Sequence, residues 1–271
     1  LDMEELFFLD GKKLEDAPAL RALFYGEGVF ESFRWKGSPP VFLSMHLERM
    51  RKGACFLGIP FPLESRVRLR IEDAVGAFPG GDLHVKACLL AQGDAVYHSQ
   101  PRAASLLVSV RPRAQSPDAL SLWVCSERRP PQNSLFSHKT LNYLGNIVAK
   151  REAIERGFGE ALFLDTDGRV AETSCHNVFW ARGKRLFTPS SECPVLPGVT
   201  REIVLRSAGR LGYEPVCGKF PLEGLLSSDY AFLTNAVAGI VYVSGVGGDA
   251  MPSVSRSYEV MRESLLSELG W

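Results

Sequence analysis

The sequence predicts an α+β fold in two units, and three observations carry that expectation. Helical and strand patterns alternate without the regular βαβ rhythm of a doubly wound sheet, several strands are joined by tight hairpins, and proline-bearing stretches interrupt the middle of the chain. Length agrees, since 271 residues at roughly 150 per domain make one large domain or two modest ones.

The first half opens with a hairpin, Leu6 to Leu9 and Lys12 to Leu14 around Asp10-Gly11, a dipeptide that supplies the positive φ angles of a tight turn. Gly28 to Trp35 has strand composition. Lys36 to Pro40 is turn chemistry, and Val41-Phe42-Leu43 is expected to return as its partner strand. From Ser44 the period becomes helical, with Met45, Leu47, Met50, Ala54 and Leu57 before a stop at Gly58, and a second helix fills 62–78. Leu83-Val85-Ala87-Leu89 alternates as a strand does; Ala104 to Val110 and Leu120 to Cys125 supply two further strands that close this half.

Pro112, Pro117, Pro130 and Pro131 mark the middle of the chain as linker material. The expected division is an N-terminal α+β unit over 1–113, an interdomain region over 114–132 and a C-terminal α+β unit over 133–271. The second unit reads as a helix at 141–156, strands at 160–165 and 170–173 around the Asp167-Gly168 turn, and strands at 177–182 and 185–188. Pro197 to Thr200 then opens a strong amphipathic helix, Arg201 to Leu211, stopped by Gly212. Strands at 229–234 and 239–243 and a last helix from 253 complete the order.

Charge and composition exclude several functions. Lys plus Arg equals Asp plus Glu at 31 each, so no basic surplus draws the chain to nucleic acid or anionic lipid. No apolar run approaches a membrane span, and the opening residues lack the order of a signal peptide, so a cytoplasmic location is expected. The six cysteines form no CxxC pair and read as buried, reduced thiols. The five histidines form no HExxH or HxH, so no metal site is expected. Nucleotide-binding glycine motifs and the GxSxG nucleophile elbow are absent from the sequence.

Three constellations fit one chemistry. Lys139 lies just before or at the start of a predicted helix; if the first turn begins there, Tyr143, four residues on, shares its face, and a lysine used as an amine must be desolvated or set beside positive charge to lose its proton. Gly198-Val199-Thr200 offers backbone N–H groups and a hydroxyl at a helix N-terminus, a seat for phosphate, and Thr234-Asn235 at a strand end is a second such pair. Glu172, at a strand end, could hold a pyridinium nitrogen protonated. Arg49 lies on a helix with His46. Each has an ordinary reading as well: a solvated lysine, a helix cap, a turn, a water-facing glutamate, a snorkelling arginine.

Taken in order, these stretches resemble the class IV aminotransferases, the fold type IV pyridoxal-phosphate enzymes, which include branched-chain and D-amino acid aminotransferases and aminodeoxychorismate lyases. The resemblance runs from Phe24-Tyr25-Gly26-Glu27-Gly28-Val29-Phe30-Glu31, through His46-Leu47-Glu48-Arg49-Met50 and Lys139 to Leu144, to Glu160 to Asp165, Glu172 to Phe179, Leu196 to Arg201 and Thr234-Asn235. It implies a two-domain, D-amino acid aminotransferase-like fold with pyridoxal 5'-phosphate held between the domains, and a homodimer. It further implies Lys139 as the Schiff-base lysine and proton carrier, Glu172 as partner of the pyridine nitrogen and Tyr143 beside the ring oxygen. Arg49, Val199, Thr200, Thr234 and Asn235 would then hold the phosphate.

The Thr234-Asn235-Ala236 run and Leu83-His84-Val85-Lys86 are similar to lyase sequences, with Lys86 placed to meet a substrate carboxylate. Gln92-Gly93-Asp94-Ala95 departs from the Arg-Gly loop of many lyases. The implied activity is cleavage of 4-amino-4-deoxychorismate to 4-aminobenzoate and pyruvate. The alternative is an amino acid aminotransferase, branched-chain L- or D-, acting on a 2-oxo acid.

Overall fold

The computed structural model describes residues 7–9, 12–14, 20–94 and 96–271. Strands β1 (Phe7–Leu9) and β2 (Lys12–Leu14) pair antiparallel; the Asp10-Gly11 turn expected between them lies outside the described residues, as does Ala95. Helix α1 (Leu20–Tyr25) leads into β3 (Gly28–Lys36), followed by α2 (Leu43–Phe56), α3 (Glu64–Gly76), β4 (Asp82–Gln92) and β5 (Ala103–Pro112). The last two strands and β3 form an antiparallel sheet in the order β3-β4-β5.

Alternation decides which face is covered. Val29, Phe33 and Trp35 of β3 and Val85 and Leu89 of β4 pack with Leu47, Met50 and Ala54 of α2 and Val67 and Ile71 of α3. The intervening Phe30 and Ser32 therefore face the other way, since successive strand residues point to opposite sides. The expected strand Val41-Phe42-Leu43 is not formed. Leu43 instead begins α2, its N–H bonded to the Pro40 carbonyl at 2.9 Å, and β3 takes β4 as its partner. Three apolar residues fit either period; spaced four and seven before Leu47 and Met50, Leu43 belongs to the helical stripe.

The second unit is built from β6 (Ala119–Arg129), a 3₁₀ turn at Ser134–Ser137, α4 (Leu144–Glu155), β7 (Glu160–Asp165), β8 (Val170–Thr173), β9 (Asn177–Arg182) and β10 (Arg185–Pro189). Then come α5 (Val199–Ala208), β11 (Glu214–Gly218), α6 (Leu222–Leu226), β12 (Tyr230–Asn235), β13 (Gly239–Val246), β14 (Asp249–Ala250) and α7 (Arg256–Glu268). The sheet order among the described residues is β11-β10-β9-β12-β13-β6-β7-β8, with β14 on β13. Thus β6, expected to close the first half, lies parallel between β13 and β7 in the second. Its alternation specified a half-buried strand but not its neighbours.

Helices α5 and α7 cover one face of this sheet, with Ile203, Val204, Met261 and Leu265 on Phe179, Phe232 and Tyr242. Val178, Trp180 and Leu233 point to the opposite face, where they meet Leu225 and Met251. Three of the six cysteines are exposed, Cys55, Cys175 and Cys217, against the expectation of burial, and none is in a disulfide.

The open edge of β3 is what joins the units at the site. Phe30 N–H donates to the Lys139 carbonyl at 2.8 Å, Leu141 N–H to the Gly28 carbonyl at 2.9 Å, and Arg34 N–H to the Ala236 carbonyl at 2.9 Å. A Cβ on Gly28 would meet Leu141 Cδ1 at 2.6 Å and the Leu89 carbonyl oxygen at 2.8 Å, so only glycine admits the 139–141 segment this close.

Candidate active site

A cavity of about 270 Å³ lies between the two units, walled by Arg49, Lys139, Tyr143, Glu172, Thr200 and Thr234 among others. Lys139 is not helical: it sits in extended backbone five residues before α4, whose N-cap is Tyr143. Pairing with the β3 edge, rather than a helical turn, brings its Nζ to 4.3 Å from the centroid of the Phe30 ring and 3.5 Å from the Tyr143 hydroxyl. Burial, then the charge of Arg49, lowers the Lys139 pKa to about 8. The amine thereby gives up its proton closer to neutral pH than a free lysine does, as a nucleophile or proton carrier requires. Burial and then Glu172 raise the Tyr143 pKa, so the phenol keeps its proton.

Glu172 lies at the end of β8 and is 8% exposed. Arg129 Nη1 donates to its Oε1 at 2.9 Å; Asn177 Nδ2 and Leu196 N–H donate to Oε2 at 3.1 and 2.9 Å. Burial raises its pKa, against the pull of Arg129, the Leu196 N–H and Lys139. Oε1 accepts one of these bonds and keeps a lone pair.

The third part of the wall is the start of α5. Gly198 is its N-cap and gives no side-chain cap, so the first backbone N–H groups stay available for an anion. A Cβ at Gly198 would lie 2.0 Å from Asn177 Oδ1. The Asn177 amide spans Glu172 and the Leu196 carbonyl, at 2.9 Å from the latter, and needs the space that glycine leaves. The buried hydroxyls of Thr200 and Thr234 have no hydrogen-bond partner among the described residues. A buried hydroxyl without a partner costs free energy until something bonds to it. Arg49 grips the buried Glu31 through Nε at 2.8 Å and Nη2 at 2.6 Å, and its Nη1 donates to the Pro197 carbonyl at 3.1 Å. His46 Nδ1 lies 2.7 Å from the same carboxylate. Burial alone would raise Glu31, but Arg49 and His46 hold it at about 2.

Of the sequence-predicted residues, Arg49, Lys139, Tyr143, Glu172, Val199, Thr200, Thr234 and Asn235 all line the cavity. Asn235 does so with its side chain engaged: Oδ1 accepts from Val237 N–H at 2.9 Å and Ala238 N–H at 2.7 Å, closing the β12–β13 turn. Lys86 is exposed and outside the lining, its Nζ 4.4 Å from the Phe30 centroid. Sequence reasoning missed Arg129, read as linker, and gave no role to Asn177 or Glu31, although both lay in quoted stretches. An arginine pair before two prolines carries no periodic signal. The burial of Arg129 follows from packing, with the guanidinium 3.6 Å from the Phe163 centroid and bonded to Asn146 at 3.0 Å.

A lysine of lowered pKa, a buried carboxylate across the same cavity and a helix start with free N–H groups make up the equipment of a lysine-dependent enzyme. The profile of the family "Amino-transferase class IV" matches residues 28–246, and the chain belongs to that family. It is 28% identical to the aminodeoxychorismate lyase of Bacillus subtilis (strain 168) over 98% of this chain and 97% of that protein. It is 26% identical to the aminodeoxychorismate lyase of Vibrio harveyi, over 89% of this chain and 91% of that one. Among solved structures, a T.th. branched-chain amino acid aminotransferase complexed with N-(5'-phosphopyridoxyl)-L-glutamate superposes with a TM-score of 0.85, at 25% identity, covering 98% of this chain and 94% of that one.

Proposed function

We propose that the chain is a pyridoxal 5'-phosphate-dependent lyase that cleaves 4-amino-4-deoxychorismate to 4-aminobenzoate and pyruvate. The observation that carries the cofactor reading is the pair of orphaned hydroxyls, Thr200 and Thr234, in the same cavity as the Lys139 amine. The donor set fits the group from end to end. A phosphate would satisfy both hydroxyls, the α5 N–H groups and the remaining donors of Arg49. A pyridinium N–H would meet the free lone pair of Glu172 Oε1, and an aldehyde would meet Lys139.

When bound, the cofactor supplies an aldehyde that condenses with amines and a ring that accepts electron density from the substrate's α carbon. The protein does the rest. Lys139, with its pKa at about 8, takes the α proton and returns it where it is needed. The hydroxyl of Tyr143 orients the groups beside that amine. Arg129, Asn177 and the Leu196 N–H hold the Glu172 oxygens in place and oppose the effect of burial, so that the carboxylate would be oriented to meet a pyridinium N–H. Phe30 excludes water from the face on which the Lys139 amine stands.

Lyase over aminotransferase rests on the Thr234-Asn235-Ala236-Val237 turn that walls the cavity and on the similarity to a lyase over 98% of this chain. Loading the protein with cofactor and supplying aminodeoxychorismate is expected to yield pyruvate and 4-aminobenzoate in equal amounts. No pyruvate, together with keto-acid-dependent amino transfer, overturns the lyase in favour of the aminotransferase. Loss of the cofactor's absorbance shift on Lys139→Ala tests the cofactor reading by itself.

A homodimer is part of the proposal, supported by exposed apolar side chains on β5 and α4, Leu107 at 56%, Leu144 at 69% and Val148 at 52%. Sedimentation at the mass of a single chain would overturn it. The six free cysteines suit a reducing compartment and support a cytoplasmic location; no described helix is long and apolar enough to cross a membrane. With equal numbers of acidic and basic residues, the partner is a small amino substrate rather than nucleic acid.

A further inference from the structure

Beside the catalytic cavity, three donor atoms from β7 and the β8–β9 connection converge on one point. Cys175 Sγ lies 3.2 Å from His176 Nδ1 and 3.3 Å from Glu160 Oε2, and the last two lie 3.3 Å apart. Glu160 and His176 are buried, whereas Cys175 is exposed toward the cavity that it and His176 help to line.

Hydrogen bonding can fill two edges of this triangle and leaves the third without a proton. A thiol brings one proton and Nδ1 of imidazole at most one, and each proton bonds well along a single edge. Nor is it a nucleophile, base and orienting acid in series, because that arrangement uses both imidazole nitrogens, whereas here thiol and carboxylate meet the same one. A cation at the centre would satisfy all three atoms together. Tetrahedral zinc with one sulfur, one nitrogen and one oxygen ligand has ligand-to-ligand edges of roughly 3.3–3.6 Å, close to the edges seen here.

We propose that Glu160, Cys175 and His176 form a binding site for a thiophilic divalent cation of the zinc class, with its fourth position open to the catalytic cavity. The mixed sulfur, nitrogen and oxygen set selects zinc over calcium or magnesium. The carboxylate is already oriented, since its other oxygen accepts from Ala161 N–H at 2.9 Å and from the Ser174 hydroxyl. Thr173 Oγ1 stands 3.4 Å from His176 Nδ1 and accepts the His176 backbone N–H at 3.0 Å, which fixes the ring's base. Binding releases the thiol proton, and any proton on Nδ1, to water. Lys150 Nζ, 3.2 Å from Glu160 Oε2, competes for that oxygen.

Occupancy has a consequence for the enzyme. The connection bearing Cys175 and His176 also joins Glu172 to Asn177, and the Cys175 carbonyl accepts from Asn235 Nδ2 at 3.3 Å. A cation there fills the cavity wall beside the substrate and inhibits. The site itself is independent of which substrate the enzyme takes.

The test uses cofactor-loaded protein stripped of metal, titrated with Co²⁺ and then Zn²⁺, and read by equilibrium dialysis and by the thiolate-to-cobalt charge-transfer band in difference spectra. One equivalent is expected to bind with that band, and Zn²⁺ to displace it. Cys175→Ser should abolish the band and weaken Zn²⁺ binding at least about 100-fold, with His176→Gln costing about 10–100-fold. Lys150→Met should tighten binding and also shows that the fold tolerates change here. Absence of the band at one equivalent, or a band and affinity that survive Cys175→Ser in protein of native circular dichroism, overturns the proposal.

Discussion

The two walls of the cavity differ in how firmly their side chains are held. On the wall from the C-terminal sheet and α5, Glu172 accepts from three protein donors and Asn177 ties it to the Leu196 carbonyl. On the opposing wall, from β3 and β4, Phe30, Ser32 and His84 face the cavity, and the His84 ring meets the exposed Arg111 at 3.0 Å. The braced wall suits a resident group of fixed shape; the looser one suits a substrate that enters and leaves. That contrast explains why the family is evident while the substrate rests on subtler features.

Substitutions that break the braced wall should cost most. Lys139→Ala is expected to lower turnover by at least about 10³-fold, because among the described residues no other lysine lines the cavity to carry the α proton; steady-state rates with pyruvate detection measure it. Glu172→Gln should lower kcat by about 10²-fold, since an amide cannot match the carboxylate's charge beside the ring nitrogen. A larger effect on KM than on kcat would contradict that role.

Thr200→Val combined with Thr234→Val removes the two orphaned hydroxyls and should raise the cofactor's dissociation constant about 10–100-fold, at about 1 kcal/mol or more for each lost bond. Equilibrium dialysis measures it, with thermal unfolding of the cofactor-free protein as the control. Removing an unpartnered buried hydroxyl should leave that control unchanged or slightly raised.

A pH experiment sharpens the comparison further. Burial and Arg49 lower the Lys139 pKa to about 8, so the amine is charged below that value and neutral above it. Trinitrobenzenesulfonate labelling of Lys139 in cofactor-free protein should therefore rise with a midpoint near pH 8, and Arg49→Met should move the midpoint upward. The smallest effect belongs to the looser wall: Lys86→Ala, at an exposed position outside the lining, should raise KM by about 3-fold and leave kcat within about 2-fold, as befits a screened surface charge.

Much of this was legible in residue order, for reasons particular to each element. The stripe through Leu47, Met50 and Ala54 and the positive-φ Gly58 announced α2 and its end. The Gly198 to Thr200 turn announced α5. Lys139, by contrast, reads as just before or at a helix start; it precedes the helix, and its nearness to Tyr143 comes from backbone pairing with β3, a contact across more than a hundred positions that no local pattern encodes. The same holds for β6, whose partners follow it in the chain, and for Arg129, whose burial depends on Phe163 and Glu172. Local period specifies which face is apolar; long-range pairing decides what that face meets.

Arg49 links the two halves in a way that constrains traffic through the enzyme. Its guanidinium neutralises Glu31 inside the first half and also reaches the Pro197 carbonyl just ahead of α5 in the second. Were the halves to part, it would stay with Glu31, because stripping a counter-charge from so deeply buried a carboxylate costs about 3–5 kcal/mol. The phosphate seat proposed above would then lose its cation as the cleft widened. On the proposed cofactor reading, substrate would therefore come and go through a mouth that leaves the Arg49 clasp on Pro197 shut.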